Sequence, residues 1–332
     1  MARRVLTAGN RYDPGDAGPR FLLGRRARHS MTHAQKVRAR IAYGLLFLTP
    51  GLWASNMIVA RWSADFFPPH ALAFWRWVVA LLPMLAICGA ALWRRRAEAL
   101  REWRDLLVLG ALGMWVCGAF VYIAAATTSA TNIGLIYAGV PVMIMLLSAA
   151  VFRERLTPAQ GVGAALGLVG VLAIVTQGNP GVLLHLDFTR GDIWALTAAV
   201  CWAIYTVIMR YRPTRLDPFM RLTAITIGGI VVLFPLTLIE GVVVGVPPLD
   251  WRSVVAVLIV ALLPGFGAYQ AYSWLLREIG PVRTGLILYL TPLYVALLAW
   301  ALLGEAPRWY HALGAGLVFA GIFLANRKAR AA

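Results

Sequence analysis

Ten predominantly apolar runs alternate with polar connections along the chain: 41–60, 71–92, 106–126, 132–152, 158–176, 193–209, 222–239, 254–276, 284–303 and 309–325. A bilayer core of about 30 Å takes roughly 20 apolar residues of helix. Each run is long enough to be read as one crossing, and the pattern predicts an all-α integral membrane protein of ten transmembrane helices. The connections are short, mostly 5 to 15 residues, which leaves no room for a soluble domain and places function inside the bundle. Within the ten runs Arg76 is the single formally charged residue, in the stretch ALAFWRWVVALLP.

Composition agrees with this pattern. Hydrophobic residues make up 60% of the 332 and charged residues 14%, against about 25% charged in an ordinary soluble domain. The net charge of +17 would suit nucleic acid, but its distribution points elsewhere. With the N-terminus inside, the inner segments hold 26 Lys and Arg and the outer loops 4, with Arg76 making up the total of 31. That is the positive-inside pattern. It predicts a multi-pass protein of a bacterial inner (plasma) membrane with both termini cytoplasmic and with the lipid bilayer, not nucleic acid, as its partner. Cys88, Cys117 and Cys201 all fall in apolar runs and offer no disulfide framework or zinc spacing. No metal or cofactor is expected. The first apolar run begins near residue 41 at full spanning length, so no cleavable signal peptide is expected. The first 30 residues are rich in Arg, Gly and Pro with little to bury, and Met31 is a second candidate start.

The chain also repeats itself. GLIYAGVP, from Gly134, is followed by Glu154, Gly163 and Gly170, and 151 residues later GLILYLTP is followed by Glu305, Gly314 and Gly321. Trp53, Ala54 and Arg61 match Trp202, Ala203 and Arg210 at a shift of 149, and Tyr122 matches Tyr272 at 150. Each copy holds five spans, and an odd number makes the second copy enter from the opposite face. Inverted-topology pairs of this kind build alternating-access transporters with the solute site near the midplane. The expected divisions are a basic tail over 1–40, repeats over 41–176 and 193–326 with a linker at 177–192, and a basic tail over 327–332.

Two stretches, YIAAATTSATNIGLIYAGVPVMIMLLSAAVFRERLTPAQGVGAALGLVGVLAI and YSWLLREIGPVRTGLILYLTPLYVALLAWALLGEAPRWYHALGAGLVFAGIFLAN, resemble the drug/metabolite transporter superfamily in its EamA-type branch. FWRW is similar to the aromatic-flanked Arg common in the second span of that branch. The resemblance covers about residues 41–326. It implies two inverted five-helix repeats around a central cavity and a role in moving amino acids, metabolites or drugs.

Polar and aromatic residues in the spans are the candidates for that cavity. Trp53 and Asn56 share a face of the first span, and Trp202 and Tyr205 share the related face of the sixth. Tyr122 and Tyr272 are repeat-related, and Tyr269 and Gln270 lie near the latter; buried hydroxyls and amides need partners, so these should point inward, towards solute or neighbouring helices. Tyr137 and Tyr289 come from the fourth and ninth spans, where Asn132 reads as a helix cap. Pro141 and Pro292 sit mid-span at matching positions, and Pro264 with Gly265 and Gly267 interrupts the eighth span with no proline counterpart in the third; each bend serves as a hinge or as a static kink. Glu154 and Glu305 end their spans beside basic residues, as helix-end salt bridges or gates. Gly163 and Gly167 on one helix, and Gly314 and Gly316 on another, suit close backbone approach.

Arg76 lies about five residues into its span, or roughly 7 Å at 1.5 Å per residue. That is shallow enough to snorkel to the outer interface, with Trp75 and Trp77 as belt residues; the other reading is an inward Arg that contacts a carboxylate or gates. The leading expectation is an exporter of small amphipathic metabolites, amino acids with aromatic or apolar side chains first. Alternatives are an exporter of drugs or of sugar-phosphate and nucleotide-sugar-like solutes. An intramembrane enzyme is the distant alternative, since no nucleophile-base pair, carboxylate pair or HExxH is present in the spans. A monomer and a homodimer are both compatible with the sequence.

Overall fold

The computed structural model describes residues 33–303 and 308–326 of the protein. Both terminal tails beyond these residues, Met31 and Glu305 lie outside the described residues. Ten apolar helices run through the structure: α1 (Arg40–Trp62), α2 (Pro69–Arg94), α3 (Trp103–Thr127), α4 (Thr131–Phe152), α5 (Pro158–Val175), α6 (Arg190–Tyr211), α7 (Pro218–Val243), α8 (Trp251–Ile279), α9 (Pro281–Leu298) and α10 (Trp309–Ala325). Among the described residues the first nine are long and apolar enough to cross a membrane, and α10 is a shorter apolar helix. Residues 33–39, placed in the N-terminal tail from sequence, are helical and continue into α1. A short helix, Arg96–Arg101, joins α2 to α3.

Local chemistry sets the helix starts. Thr157 and Gln160 form a capping box at α5, Thr189 and Asp192 one at α6, and the Asp217 carboxylate accepts the Phe219 and Met220 N–H groups at 2.9 and 3.0 Å at α7. Each satisfies backbone donors the helix itself leaves open. Asp250 does the same for α8, accepting the Ser253 N–H at 2.8 Å, and that bond holds its carboxyl below the usual range.

The helix packing is inverted-symmetric. α1 packs on α8 and α9, and α6 packs correspondingly on α3 and α4. The contact of α2 with α8 has its counterpart in α7 with α3, while α2–α7, α4–α9 and α5–α10 pair helices that are each other's equivalents. Exchanging the halves therefore maps these contacts onto one another, which is the arrangement of two inverted five-helix repeats. The connections α2–α3, α4–α5, α6–α7 and α8–α9 gather at one end of the bundle, called the basic end below because it carries most of the arginines.

The irregular turns repeat as well. Residues Ala111–Phe120 of α3 and Ala261–Ala268 of α8 are both π-helical, at a shift of 150. The expectation that Pro264 interrupts α8 is thus corrected: the chain stays helical through a wide turn there, and the same turn occurs in α3, which has no proline. Pro141 is the second residue of a helical piece that follows a turn at Gly139 in α4, and Pro292 is the second residue of the piece that follows a 3₁₀ turn at Ile287–Leu290 in α9. A proline lacking its N–H is tolerated in a first turn, where that donor has no helical acceptor.

α5 and α10 meet through backbone. A Cβ at Gly163 would lie 2.5 Å from the Gly321 carbonyl oxygen, and one at Gly170 would lie 2.7 Å from that of Gly314. Gly316 faces open space, so its expected place in the small face goes to Gly321. Gly161, two residues from Gly163, also meets nothing within 4 Å. Gly163→Ala should therefore destabilise the protein by about 1–3 kcal/mol through overpacking, whereas Gly161→Ala should stabilise it by up to about 1 kcal/mol through helix propensity. Thermal unfolding of the two variants in detergent or nanodiscs reads the opposite signs.

Candidate functional site

Four helices bring aromatic rings to the contact between the halves. Trp53 of α1 and Trp202 of α6, repeat-related at a shift of 149, touch edge to face with centroids 5.3 Å apart, so the pseudo-twofold axis passes between them. Tyr269 and Tyr272, on one face of α8 just after its π turn, approach Trp53 at 6.0 and 5.1 Å and Trp202 at 5.3 and 5.2 Å. Tyr205 stacks on Trp202 at 5.3 Å. Trp77 of α2 closes on Tyr269 at 4.8 Å. Tyr205, Tyr272 and Trp77 are among the largest fully buried side chains, and the rings fill the middle of the bundle where sequence pointed to a cavity.

The polar groups at this centre are paired by repeat. The Tyr122 hydroxyl donates to Asn56 Oδ1 at 2.9 Å, joining α3 to α1. In the other half the Tyr272 hydroxyl bonds the Thr206 hydroxyl at 3.1 Å, joining α8 to α6. Thr206 lies one residue beyond the position matching Asn56, and sequence reading passed it over because a hydroxyl on a long apolar helix is usually satisfied by its own turn.

Arg76 belongs to this centre. Its side chain is 2% exposed, so the expectation that it snorkels to the interface is corrected. Nη1 donates to Asn56 Oδ1 at 3.4 Å and to the Tyr122 hydroxyl oxygen at 3.3 Å. Its guanidinium carbon lies 4.7 Å from the Trp77 ring centroid and 5.6 Å from that of Tyr269, which are cation–π distances. Nε is buried with no partner. The ion pairs among the described residues join His70 to Glu240, Arg95 to Glu98 and Arg212 to Asp105, and Arg76 is in none of them. Of its flanking tryptophans, Trp75 is exposed as a belt residue would be, while Trp77 is fully buried and donates to the Met114 carbonyl at 3.1 Å.

Other candidates sit elsewhere. Tyr289 is buried in a separate cluster with Leu286, Leu290 and Val318, its ring against Gly167, where a Cβ would come within 2.3 Å; it fills the joint between α5, α9 and α10 and not the centre. Tyr137 is half-buried at the edge of the main core. Gln270 is half-buried, its amide nitrogen shielded and unpaired. Glu154 has Tyr211 as its partner in place of a basic residue: it accepts from the Tyr211 hydroxyl, whose ring stacks on Phe152 at 4.1 Å.

Both ends of the bundle are tied shut across the halves. At the end opposite the basic one, the buried Asp192 carboxylate accepts from the Thr128 hydroxyl at 2.6 Å, from Asn132 Nδ2 at 3.0 Å and from the Thr189 N–H at 2.7 Å. Asn132 thus bridges to α6, and the cap of its own helix is Ser129. Glu240 of α7 accepts the His70 and Ala71 N–H groups of α2 at 3.0 and 2.8 Å. At the basic end Arg212 Nε donates to Asp105 at 2.7 Å, an interaction that holds the guanidinium above its ordinary pKa, and Glu102 accepts from the Thr214 hydroxyl at 2.7 Å and the Arg215 N–H at 2.9 Å. Two further arginines clamp their own repeats at opposite ends: Arg61 Nη1 donates to the Ala125 and Thr128 carbonyls at 3.1 and 3.5 Å, and Arg210 Nη1 to the Arg277 carbonyl at 2.8 Å. Donors and the Thr128 and Arg277 acceptors are related by the same shift of 149.

Sequence reading also missed Arg221, which it placed one residue before the seventh run. It lies inside α7, 5% exposed, with Nη1 donating to the Met209 carbonyl at 2.8 Å.

Comparison with known proteins places this geometry. The model of the EamA-like transporter family matches residues 40–176 and again 189–327, once per half. The transporter YyaM of Bacillus subtilis is 26% identical over 274 residues, covering 81% of this chain and 88% of its own. A probable terminal-alkyne amino-acid exporter of Streptantibioticus cattleyicolor is 27% identical over 85% of this chain and 92% of its own. The inner membrane transporter YedA of Escherichia coli K12 is 22% identical over 85% and 89%. A solved crystal structure with 23% identity superposes at a TM-score of 0.67 over 85% of this chain and 95% of that one, which is the same fold. With two family matches that coincide with the two inverted halves, the chain is a multi-pass membrane protein that belongs to the EamA-like transporter family.

Proposed function

We propose that the protein exports small amphipathic carboxylates, amino acids with aromatic or apolar side chains foremost, by alternating access about the ring cluster, with both termini in the cytoplasm. The observation that carries this is Arg76. It is a buried cation whose partners are an amide oxygen, a phenol and two ring faces. Desolvating a charge costs several kcal/mol unless it is matched by an opposite charge, and a carboxylate arriving with the solute would provide one. Charge-assisted bonds of a guanidinium to carboxylate are among the strongest a protein makes. The adjoining rings of Trp53, Trp202, Tyr269 and Tyr272 offer an apolar body a matching surface.

The same electrostatics disfavours the alternatives. A cationic drug would want an acid at the centre, and the nearest Asp and Glu of the described structure are engaged at the bundle ends. A nucleotide sugar would want several cations on one phosphate group, and the ring cluster holds one. The named activity of the Streptantibioticus relative, on an amino acid, is in keeping with the reading. The excess of Lys and Arg at the basic end supports the cytoplasmic placement of that end.

Uptake of radiolabelled amino acids into liposomes holding the purified protein tests the proposal. Saturable uptake of phenylalanine or leucine is expected, with Trp53→Ala weakening it and Arg76→Gln lowering kcat/KM by 10- to 100-fold, as loss of a hydrogen bond to a charged group implies. Arg76→Lys should recover part of that loss, since it keeps the charge without the planar fork. A folded wild-type protein that moves no amino acid sinks the amino-acid claim. A fusion reporter placing residue 332 outside would sink the orientation.

A further inference from the structure

Each half supplies one buried arginine from its second helix. Arg76 lies seven residues after the Pro69 that begins α2, and Arg221 lies three after the Pro218 that begins α7. Because the halves are inverted, the two approach the ring cluster from opposite ends. Arg221 takes part in none of the ion pairs of the described residues. One of its amino groups is held by the Met209 carbonyl, and its Nε is buried without a partner.

The surroundings of Arg221 place it on a path. On the basic-end side of the Met209 carbonyl, Arg212 is tied to Asp105, and Thr214 and Arg215 are tied to Glu102, the ties that shut that end. On the other side, one turn of α6 before the Met209 carbonyl that holds Arg221, stands the Tyr205 hydroxyl. That hydroxyl is buried with no hydrogen-bond partner, while its ring stacks on Trp202 and so belongs to the central cluster. Two orphaned donors, a guanidinium N–H and a phenol O–H, therefore lie between the basic-end ties and the rings. Leaving such groups unpaired in a dry interior costs free energy, and both need the same thing, an acceptor that carries negative charge.

We propose that Arg221 and the Tyr205 hydroxyl form a second carboxylate site, on the basic-end side of the rings, where the carboxylate of an amphipathic solute docks before it passes to Arg76. The inference rests on the carboxylate reading given above. In it Tyr205 faces both ways: its ring contacts the apolar body of the solute at the centre, and its hydroxyl holds the anion one station earlier. A solute entering when the Asp105–Arg212 and Glu102–Thr214 ties open would meet Arg221 first.

Phenylacetate, 2-phenylethylamine and benzyl alcohol, which share a ring and differ in charge, are the probes. Each is titrated against the protein in nanodiscs with tryptophan fluorescence as the readout, Trp202 and Trp53 being the reporters at hand. The wild type should show two saturable phases with phenylacetate and none with the amine or the alcohol. Arg76→Gln should remove one phase and Arg221→Gln the other. Tyr205→Phe guards against a misfolded Arg221 variant. Removing an unpaired buried hydroxyl should leave the unfolding midpoint unchanged or higher, yet weaken the Arg221 phase about tenfold, the worth of one hydrogen bond to a charged group. A single phase that vanishes in Arg76→Gln and survives both Arg221→Gln and Tyr205→Phe overturns the second site and leaves the reading of Arg76 standing. A single phase with the opposite dependence supports the second site and overturns that reading. No phenylacetate phase at all, or equal phases with benzyl alcohol, overturns both.

Discussion

A guanidinium in an apolar bundle must be compensated, and much of the centre of this protein follows from how Arg76 is. Asn56 and Tyr122 turn their oxygens to it, and to do so they bind each other, which locks α1 to α3. Trp77 and Tyr269 lie within cation–π distance of it, and each is itself tied to the backbone of α3, at Met114 and Gly113. Gly265 lies beside Nε, where an added Cβ would come within 3.5 Å. The compensation is all dipole and quadrupole, without a countercharge. That unmatched charge is what the proposed carboxylate would answer.

Inversion of the repeat turns local chemistry into a device with two ends. Arg61 and Arg210 make the same bond to a carbonyl 67 residues on, but at opposite ends of the bundle. The acids that seal across the halves, Asp192 and Glu240 of the second repeat at one end and Glu102 and Asp105 of the first at the other, do not match residue for residue at that shift. Strength at the two ends can therefore be tuned separately while the ring cluster, lying on the pseudo-axis, serves both.

The helices and their repeat were readable because a membrane span needs one long apolar run and the duplication left matching glycines, prolines and tryptophans. Trp53 with Asn56, and Trp202 with Tyr205, were readable as neighbours because three-residue spacing puts each pair on one face of its helix. Arg76 was misjudged because depth along the helix was weighed and its face was not: Ala73, Trp77, Ala80 and Met84, spaced three and four apart around it, are all fully buried, and that small-and-aromatic stripe is the face turned inward. Tyr289 was misplaced for the opposite reason. Its spacing fits an inward residue, but the space it enters is one that Gly167 opens on a helix far off in sequence. The π turns left no mark, since a shift of hydrogen bonding from i+4 to i+5 changes geometry and not composition.

Those π turns have a physical consequence for the site. One extra residue in a turn rotates everything after it around the helix axis, and in α8 the next residue is Tyr269, with Tyr272 one turn on. In α3 the same displacement precedes Tyr122. Both repeats thus use an irregular turn to aim a tyrosine hydroxyl across at the first helix of their own half, at Asn56 and at Thr206. If either turn relaxed to regular α-helix, its tyrosine would swing by about 100° and the bond would break. The hydroxyl that answers Arg76 and the hydroxyl that closes the opposite half are therefore held by the same kind of π turn, and relaxation of one would free a hydrogen-bonding group at the centre without unfolding the span that carries it.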